Sequence, residues 1–384
     1  MLTKLILRNL GRHKLRTVLT ALGVAVAVAA FVFLRTCIAM WYVTAETAAE
    51  SRIVSRNNIS MTFPLPLSHR DKVAAVPGVT AVTYSNWFGG IYKDPKEFFS
   101  QFAIDAETYF KVYPEFQVKP AELAAFTADR SGCIVGKKLA ERYGWKLGDV
   151  IRITGTIYEG DWDFTVRAIY TGAKATTDET TFYFDWKYLD ERVAASLPSR
   201  SGMVGFYIAA LQNPNDAASV CATIDGLFAN SAAETLTETE SAFNLSFVSM
   251  SSAIIGALQA VSFVIIGIML LVLANTMSMS ARERLKEYAV LKTLGFSEGF
   301  ITSLIIGESA LLATVGAGLG LLIATPLTKG FGSAVAMFFP VFEVEPLVVA
   351  SAAIGAIVAG AIAGLFPAQS ASKISITDGL RYLG

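Results

Sequence analysis

Two histidines and three cysteines are all that 384 residues hold of the side chains from which most metal and nucleophile sites are made. His13 sits in a basic flank and His69 at a loop-to-helix start, neither beside a serine or cysteine motif. No Cys/His spacing suits zinc. Cys37 falls in an apolar stretch, which leaves Cys133 and Cys221 in polar sequence. A disulfide between those two is compatible with an oxidising compartment; two buried free thiols are the plainer reading. No Gly-x-x-x-x-Gly-Lys-Ser/Thr loop occurs, since Gly136-Lys137-Lys138 lacks both the upstream glycine and the hydroxyl residue. Asp161 and Asp163 flank Trp162 and read as a solvated hairpin rather than an acid/base pair. The chain therefore reads as a non-enzyme that binds no cofactor or metal directly and has no nucleic-acid partner.

Charge is scarce too, at 17%, while 53% of residues are hydrophobic and come in blocks. That combination places the chain in a membrane before any motif is read. Four apolar blocks are long enough to span a bilayer. The division runs as follows: a basic amphipathic helix at 1–17, span 1 and its stalk at 18–45, a polar domain at 46–245, and a stalk with span 2 at 246–279. A short charged helix at 280–299, span 3 at 300–327, an outer loop at 328–346, span 4 at 347–367 and a tail at 368–384 complete it. Residues 46–245 hold 25 acidic against 19 basic side chains, and the remainder 7 against 13. Positive residues collect on cytoplasmic flanks, so both termini and the 280–299 helix are expected in the cytoplasm of a cell inner (plasma) membrane protein. Arg35, near the outer end of span 1, is expected to snorkel, with Trp41 and Tyr42 as interface anchors.

The fold class expected is a membrane α-helical protein with four transmembrane helices, one before and three after a large extracytoplasmic α+β domain of two lobes. Strands are predicted at 58–63, 79–84, 150–154 and 164–169, and helices at 69–75, 137–143 and 214–228. The strand–helix rhythm at the two ends of the domain suggests one lobe built from both ends, with a β-rich lobe inserted between them.

The charged helix between spans 2 and 3 carries the most chemistry. Leu285, Tyr288 and Ala289 share one stripe, while Arg282, Glu283, Lys286 and Glu287 supply polar faces. Lys292 suits the negative end of the helix dipole, Gly295 is placed as a C′ cap, and Ser297 can cap the next helix. Glu308 lies inside span 3, on the order of 12 Å from its inner end. A carboxylate there needs a partner, and a structural role is the simpler reading than proton or ion relay. Gly316 and Gly320 in span 3, and Gly360 and Gly364 in span 4, recur at the i, i+4 spacing that lets helices approach closely. Packing within one subunit's bundle is favoured over association of subunits.

On four features the chain resembles the MacB/FtsX-type permeases of ATP-binding-cassette systems. Asn9-Leu-Gly-Arg-His-Lys-Leu-Arg-Thr-Val-Leu-Thr-Ala-Leu-Gly23 looks like the family's basic helix running into span 1. The 1 + 3 layout around a large outer domain is the family's own. Arg282-Glu-Arg-Leu-Lys-Glu-Tyr-Ala-Val-Leu-Lys-Thr-Leu-Gly-Phe-Ser297, followed by Glu308, matches its most specific segment, and Gly364-Leu-Phe-Pro-Ala368 with Gly379-Leu-Arg381 resembles its C-terminal signature. Val76-Pro-Gly-Val-Thr-Ala-Val82 and Gly148-Asp-Val-Ile-Arg-Ile153 resemble MacB-type outer domains more weakly.

The resemblance implies a dimeric permease, homo- or heteromeric, whose coupling helix sits in a groove of a separate cytoplasmic ATPase dimer. The coupling residues would be Arg282, Glu283, Lys286, Glu287, Leu291, Lys292 and Gly295. ATP and Mg would act only through that partner, because the fused ATPase of the macrolide exporter has no counterpart here. Closure of the ATPase would travel through spans 1 and 2 to the outer domain. Mechanotransmission of this kind fits efflux of a small molecule or peptide, with a periplasmic adaptor and an outer-membrane channel as further partners beside membrane lipid. Lipoprotein release, FtsX-like control of a cell-wall hydrolase and a non-ABC sensor or scaffold are the alternatives.

Overall fold

The computed structural model describes residues 5–374 except 7, 10, 47, 96, 175–176, 336–341 and 343. Its elements fall into two compact units, the polar stretch Trp41–Met250 and a helical unit made from the segments on either side of it. Leu5, Ile6, Arg8 and Asn9 are helical, and a turn at 11–13 separates them from helix α1 (Lys14–Glu46). Gly11 sits at that turn, so the basic flank predicted as one helix is broken there.

The polar unit is built on an 11-stranded mixed sheet. In chain order its elements are β1 (Arg52–Asn57), β2 (Leu65–Pro66), α2 (His69–Ala74), β3 (Val79–Trp87), β4 (Gly90–Ile91), β5 (Gln101–Ile104), α3 (Tyr109–Val112), β6 (Phe116–Gln117), α4 (Pro120–Ala128) and β7 (Gly132–Gly136). There follow α5 (Lys137–Tyr143), β8 (Val150–Gly155), β9 (Gly160–Gly172), β10 (Phe182–Asp185), α6 (Trp186–Ser196), β11 (Met203–Val204), β12 (Phe206–Leu211), α7 (Ala217–Phe228), β13 (Thr235–Thr239) and α8 (Glu240–Met250). The strand order is β13-β1-β12-β3-β5-β10-β7-β9-β8-β4, with β6 paired to β9. The first four strands come from the two ends of the unit and the rest from its middle, as the two-lobe reading proposed. The two halves are not separate sheets, however. Ser85, Asn86 and Trp87 of β3 pair with Ile104, Ala103 and Phe102 of β5, making one continuous ladder.

The strand predicted at 58–63 lies instead at Arg52–Asn57, and residues 58–63 form bends and turns. Asn57 starts that turn, its Oδ1 accepting the Ile59 N–H at 3.0 Å. Asp161 and Asp163 lie on the β8–β9 hairpin, where Thr154 and Arg152 bond them from the facing strand, an exposed and purely structural arrangement. Cys37, Cys133 and Cys221 are all free thiols, so no disulfide joins β7 to α7.

Among the described residues of the helical unit, four helices are long and apolar enough to cross a membrane: α1, α9 (Ser252–Glu283), α11 (Glu298–Val335) and α12 (Pro346–Ser372). Between α9 and α11 lies α10 (Leu285–Thr293). The helix predicted over 280–299 is therefore shorter: α9 runs on to Glu283, and the chain bends at Arg284 (φ −107°, ψ 15°) before α10 begins. Span 3 is longer than predicted and takes in the first residues assigned to the outer loop. The C-terminal motif at 379–381 lies outside the described residues, as do 336–341 and 343 of that loop.

The glycine pairs set the helix contacts. A Cβ on Gly316 would stand 2.6 Å from Val24 Cβ, and one on Gly320 2.6 Å from the Ala25 carbonyl oxygen. A Cβ on Gly360 would stand 2.5 Å from Ala313 Cβ, and one on Gly364 3.1 Å from Ile306 Cα. One pair thus seats α11 on α1 and the other seats α12 on α11, both inside one chain. Backbone approach of this kind maximises dispersion where lipid supplies no hydrophobic drive.

Candidate functional site

Helix α10 has nine residues, too few to hold itself together, and its stability comes from what it packs on. Tyr288 is buried in a cluster with Ile6, Ala281, Ile301, Leu304, Ile305, Ala368 and Ala371, with Leu285 and Leu291 packed at its margin. Ala289 is buried beside it. This is the stripe anticipated from the periodicity, facing protein. Burial, with the Glu308 carboxylate near by, pushes the Tyr288 phenol well above its ordinary value and keeps it protonated.

The C-terminal end closes with a full Schellman arrangement. Gly295 (φ +89°) donates its N–H to the Lys292 carbonyl at 3.0 Å, and Phe296 donates to the Leu291 carbonyl at 3.1 Å. Ser297 then caps α11, its Oγ accepting the Phe300 N–H at 3.3 Å.

At the other end, Arg284 occupies the bend and is buried, as is Glu308. Arg284 Nη1 lies 2.9 and 3.0 Å from the two Glu308 oxygens, and Nη2 donates to the Asn9 carbonyl at 3.1 Å. Asn9 Nδ2 in turn donates to Glu308 Oε1. A carboxylate so far from water is tolerated only when paired and hydrogen-bonded, and here it is both. Arg284 was not among the residues singled out from the sequence. A signal for it existed: it falls with Ala281, Leu285 and Tyr288 on the inward stripe, and a buried cation there meets what Glu308 demands.

The other anticipated residues divide by direction. Glu283 accepts both guanidinium nitrogens of Arg16 at 2.7 Å, and Glu287 accepts from Arg12, so both acids are engaged by the N-terminal segment. Lys292 donates to Glu298 at 2.9 Å and to the Ile374 carbonyl at 3.0 Å, tying the helix end to α11 and to the end of α12. Leu291 is turned to the interior cluster. What α10 and the adjoining end of α9 leave exposed is Arg282, Lys286, Val290, Thr293, Leu294 and Gly295, together with Glu283 and Glu287, the two acids already paired with Arg16 and Arg12. Val290 and Leu294, at 47% and 70% exposure, are the apolar pair on that surface, and neither was singled out beforehand.

No group of three or more metal-binding side chains occurs among the described residues.

Comparison with known proteins identifies the family. Residues 17–227 match the family model described as MacB-like periplasmic core domain, and residues 259–376 match the one described as FtsX-like permease C-terminal. An uncharacterized ABC transporter permease of Methanocaldococcus jannaschii is 25% identical over 97% of this chain and 96% of its own length. An uncharacterized ABC transporter permease of Bacillus subtilis, YvrN, is 35% identical over 28% of this chain and 26% of its own. Among solved structures, the extracellular domain of the noncanonic ABC-type transporter YknZ from Gram-positive bacteria aligns with 49% of this chain and 98% of that one, at 14% identity and a TM-score of 0.36. The periplasmic region of MacB from Actinobacillus actinomycetemcomitans aligns with 51% and 92%, at 10% identity and a TM-score of 0.35.

Proposed function

The chain belongs to the MacB/FtsX-type family of ABC transporter permeases, and from that premise we propose that it is the permease subunit of an export or mechanotransmission complex. A separate ATPase dimer docks on α10, and its ATP cycle moves the polar unit on the far side of the membrane. The observation that carries this reading is the division of α10 into two faces. Its inner face is fixed to α11, α12 and the N-terminal segment, while Val290 and Leu294 stand exposed beside Arg282 and Lys286. An apolar pair on a short, well-capped helix, with Arg282 and Lys286 exposed on its N-terminal side, fits a groove with an apolar floor and acidic side chains at one end. ATP and Mg then belong to the partner, and this chain supplies no nucleotide chemistry of its own.

The same reading places both termini and α10 in the cytoplasm of an inner-membrane protein and a second permease copy beside the first. An adaptor, and an outer-membrane channel where the cell has one, would complete a path for a small molecule or peptide. The test is purification of the intact permease with its bound partners. An ATPase should co-purify with the wild type and be lost from V290D/L294D, with the permease still folded. Recovery of an ATPase in equal amount from both would sink the docking reading.

One observation favours lipoprotein release as a second reading. An apolar cavity of about 90 Å³ opens between α1, α9 and α12, lined by Val28, Phe31, Ile266, Met269, Ala352 and Gly355. Its apolar lining would suit a short stretch of an acyl chain. Cross-linking of a photoreactive acylated peptide at Phe31 or Met269, competed by unlabelled lipopeptide, would support that reading; labelling that plain phospholipid competes equally would count against it.

A further inference from the structure

A buried polar knot lies at the base of α10 rather than on its exposed face. Arg284, Glu308 and Asn9 come from three separate segments: the α9–α10 bend, the interior of α11 and the N-terminal segment. Arg284 and Glu308 are 6% and 3% exposed, and the buried Tyr288 phenol of α10 lies against the same pair. A buried ion pair of this kind adds little net stability, because the cost of taking both charges out of water offsets most of their attraction. Its best-attested use is to fix one arrangement among several. Here the arrangement fixed is the seat of a short helix behind a bend: helical geometry lapses at Arg284 (φ −107°, ψ 15°), although its N–H still donates to the Ala281 carbonyl and its own carbonyl accepts from Tyr288.

The N-terminal segment repeats the attachment on the outside of the same helix. Arg12 reaches Glu287 of α10, and Arg16 reaches Glu283, the last residue of α9. Ile6 packs on the same cluster as Tyr288, and a Cβ on Gly307 would stand 2.7 Å from Ile6 Cδ1. Arg16 already belongs to α1. Thus α10 is bonded to the N-terminal segment and to span 3, the foot of span 1 is bonded to the end of span 2, and the covalent link between span 2 and α10 is bent.

We propose that Asn9, Arg284 and Glu308 are positioning residues that lock α10, the N-terminal segment and α11 into one lever, so that a push on α10 is delivered through the N-terminal segment into span 1. This rests on the docking reading given above, and it departs from transmission through spans 1 and 2 alike. Span 1 is the driven element, and span 2 follows. The exposed Arg12 and Arg16 pairs guide the lever; the buried knot makes it rigid.

The test has two arms, both on the full-length permease in lipid nanodiscs. The first uses the permease alone and needs no ATPase. In R284M/E308L both charges leave together, so the fold is retained. Amide exchange of residues 11–16 and 285–294 should rise together by about tenfold, with α12 unchanged. A rise confined to one of the two segments, or none, overturns the lock. The second arm uses the complex with its co-purified ATPase. R284M/E308L should retain the ATPase but lose its stimulation by the permease. R284K keeps the charge without the fork, and should do the same. Wild-type stimulation in either variant overturns the proposal and leaves docking intact. Absence of any ATPase from the wild-type complex would count against the docking reading itself, and the exchange arm would still decide whether the lock exists.

Discussion

Arg52 Nε lies 2.7 Å from Glu240 Oε2, joining the first residue of β1 to the first residue of α8. These are the points where the chain begins and leaves the sheet of the polar unit. The same guanidinium forks onto Glu115 at 2.6 and 3.1 Å and lies over the Tyr113 ring, 4.2 Å from its centroid. The Tyr113 hydroxyl donates to Glu240 Oε1 at 2.8 Å, so both oxygens of that carboxylate are used. Burial, with Glu240 next in effect, pushes the Tyr113 phenol well above its ordinary value, and it stays a donor across the physiological range.

Removing the one cation from this set leaves two carboxylates facing each other with little access to water. R52A is expected to destabilise the polar unit by about 3–5 kcal/mol, the usual cost of stranding buried charge. R52M/E115Q/E240Q, which removes all three charges, should lose much less. Thermal unfolding of the detergent-solubilised protein, followed by near-UV circular dichroism, separates the two. Equal losses would mean that packing, not charge, holds β1 to α8.

His69 gives the polar unit a pH dependence. Its ring stacks on Phe228 at 3.9 Å between centroids, is buried, and leaves Nδ1 without a hydrogen-bond partner. Burial, and then Lys72, hold its pKa below the ordinary 6.5. With the folded value depressed, the ring is neutral in both states well above 6.5 and costs nothing there. As the pH falls below 6.5 the unfolded chain takes up the proton first, and stability drops by at most about 1.4 kcal/mol per unit. H69F keeps the stack and should flatten that part of the profile. Urea unfolding between pH 7.5 and 5 measures the difference, and an unchanged slope would assign the effect to other groups.

Much of the membrane architecture was legible because spans announce themselves in blocks that no soluble core produces. The polar unit was less so, for reasons visible in single residues. β1 carries Arg52, Ser55 and Arg56, polar side chains whose partners lie on β13, α8 and the loop at Glu115, far along the chain. Its alternation is therefore hidden, and the more apolar stretch that follows drew the assignment. Strands β5 and β10 are four residues each, below the length at which a period of two stands out. At the candidate site the caps at Gly295 and Ser297 were readable from local chemistry. Which acids were already engaged was not, since Arg12 and Arg16 lie over 260 residues from Glu287 and Glu283.

The glycines make a graded test of helix packing. Gly320 faces the Ala25 carbonyl and Gly360 faces Ala313 with no room for a methyl group, whereas a Cβ on Gly318 or Gly355 would meet nothing within 4 Å. G320A and G360A should each cost about 1–3 kcal/mol as helices are forced apart. G318A and G355A should be neutral or slightly stabilising. Melting temperatures in one detergent rank the four. Losses at Gly318 or Gly355 matching the other two would place those faces against a second subunit.

Leu291 and Leu294 lie three residues apart and ask opposite things of a mutagenesis experiment. Leu291 packs on the Tyr288 cluster, while Leu294 is 70% exposed. L291A is expected to cost about 1–3 kcal/mol, less than a fully buried leucine because it is only partly covered. It should lower ATPase recovery only in proportion to the folded fraction. L294A should leave the melting temperature unchanged and still reduce recovery of the ATPase severalfold, because a single exposed apolar anchor at the centre of a small interface carries much of its affinity. G295A provides the internal control. The left-handed φ at that position costs a residue with a Cβ about 1–2 kcal/mol, so α10 frays at its C-terminal end and Leu294 loses its direction. Recovery should then fall without any apolar atom having been removed. If L291A rather than L294A abolishes recovery in a folded permease, α10 docks by its other face, and the inward packing described here must open when the partner binds.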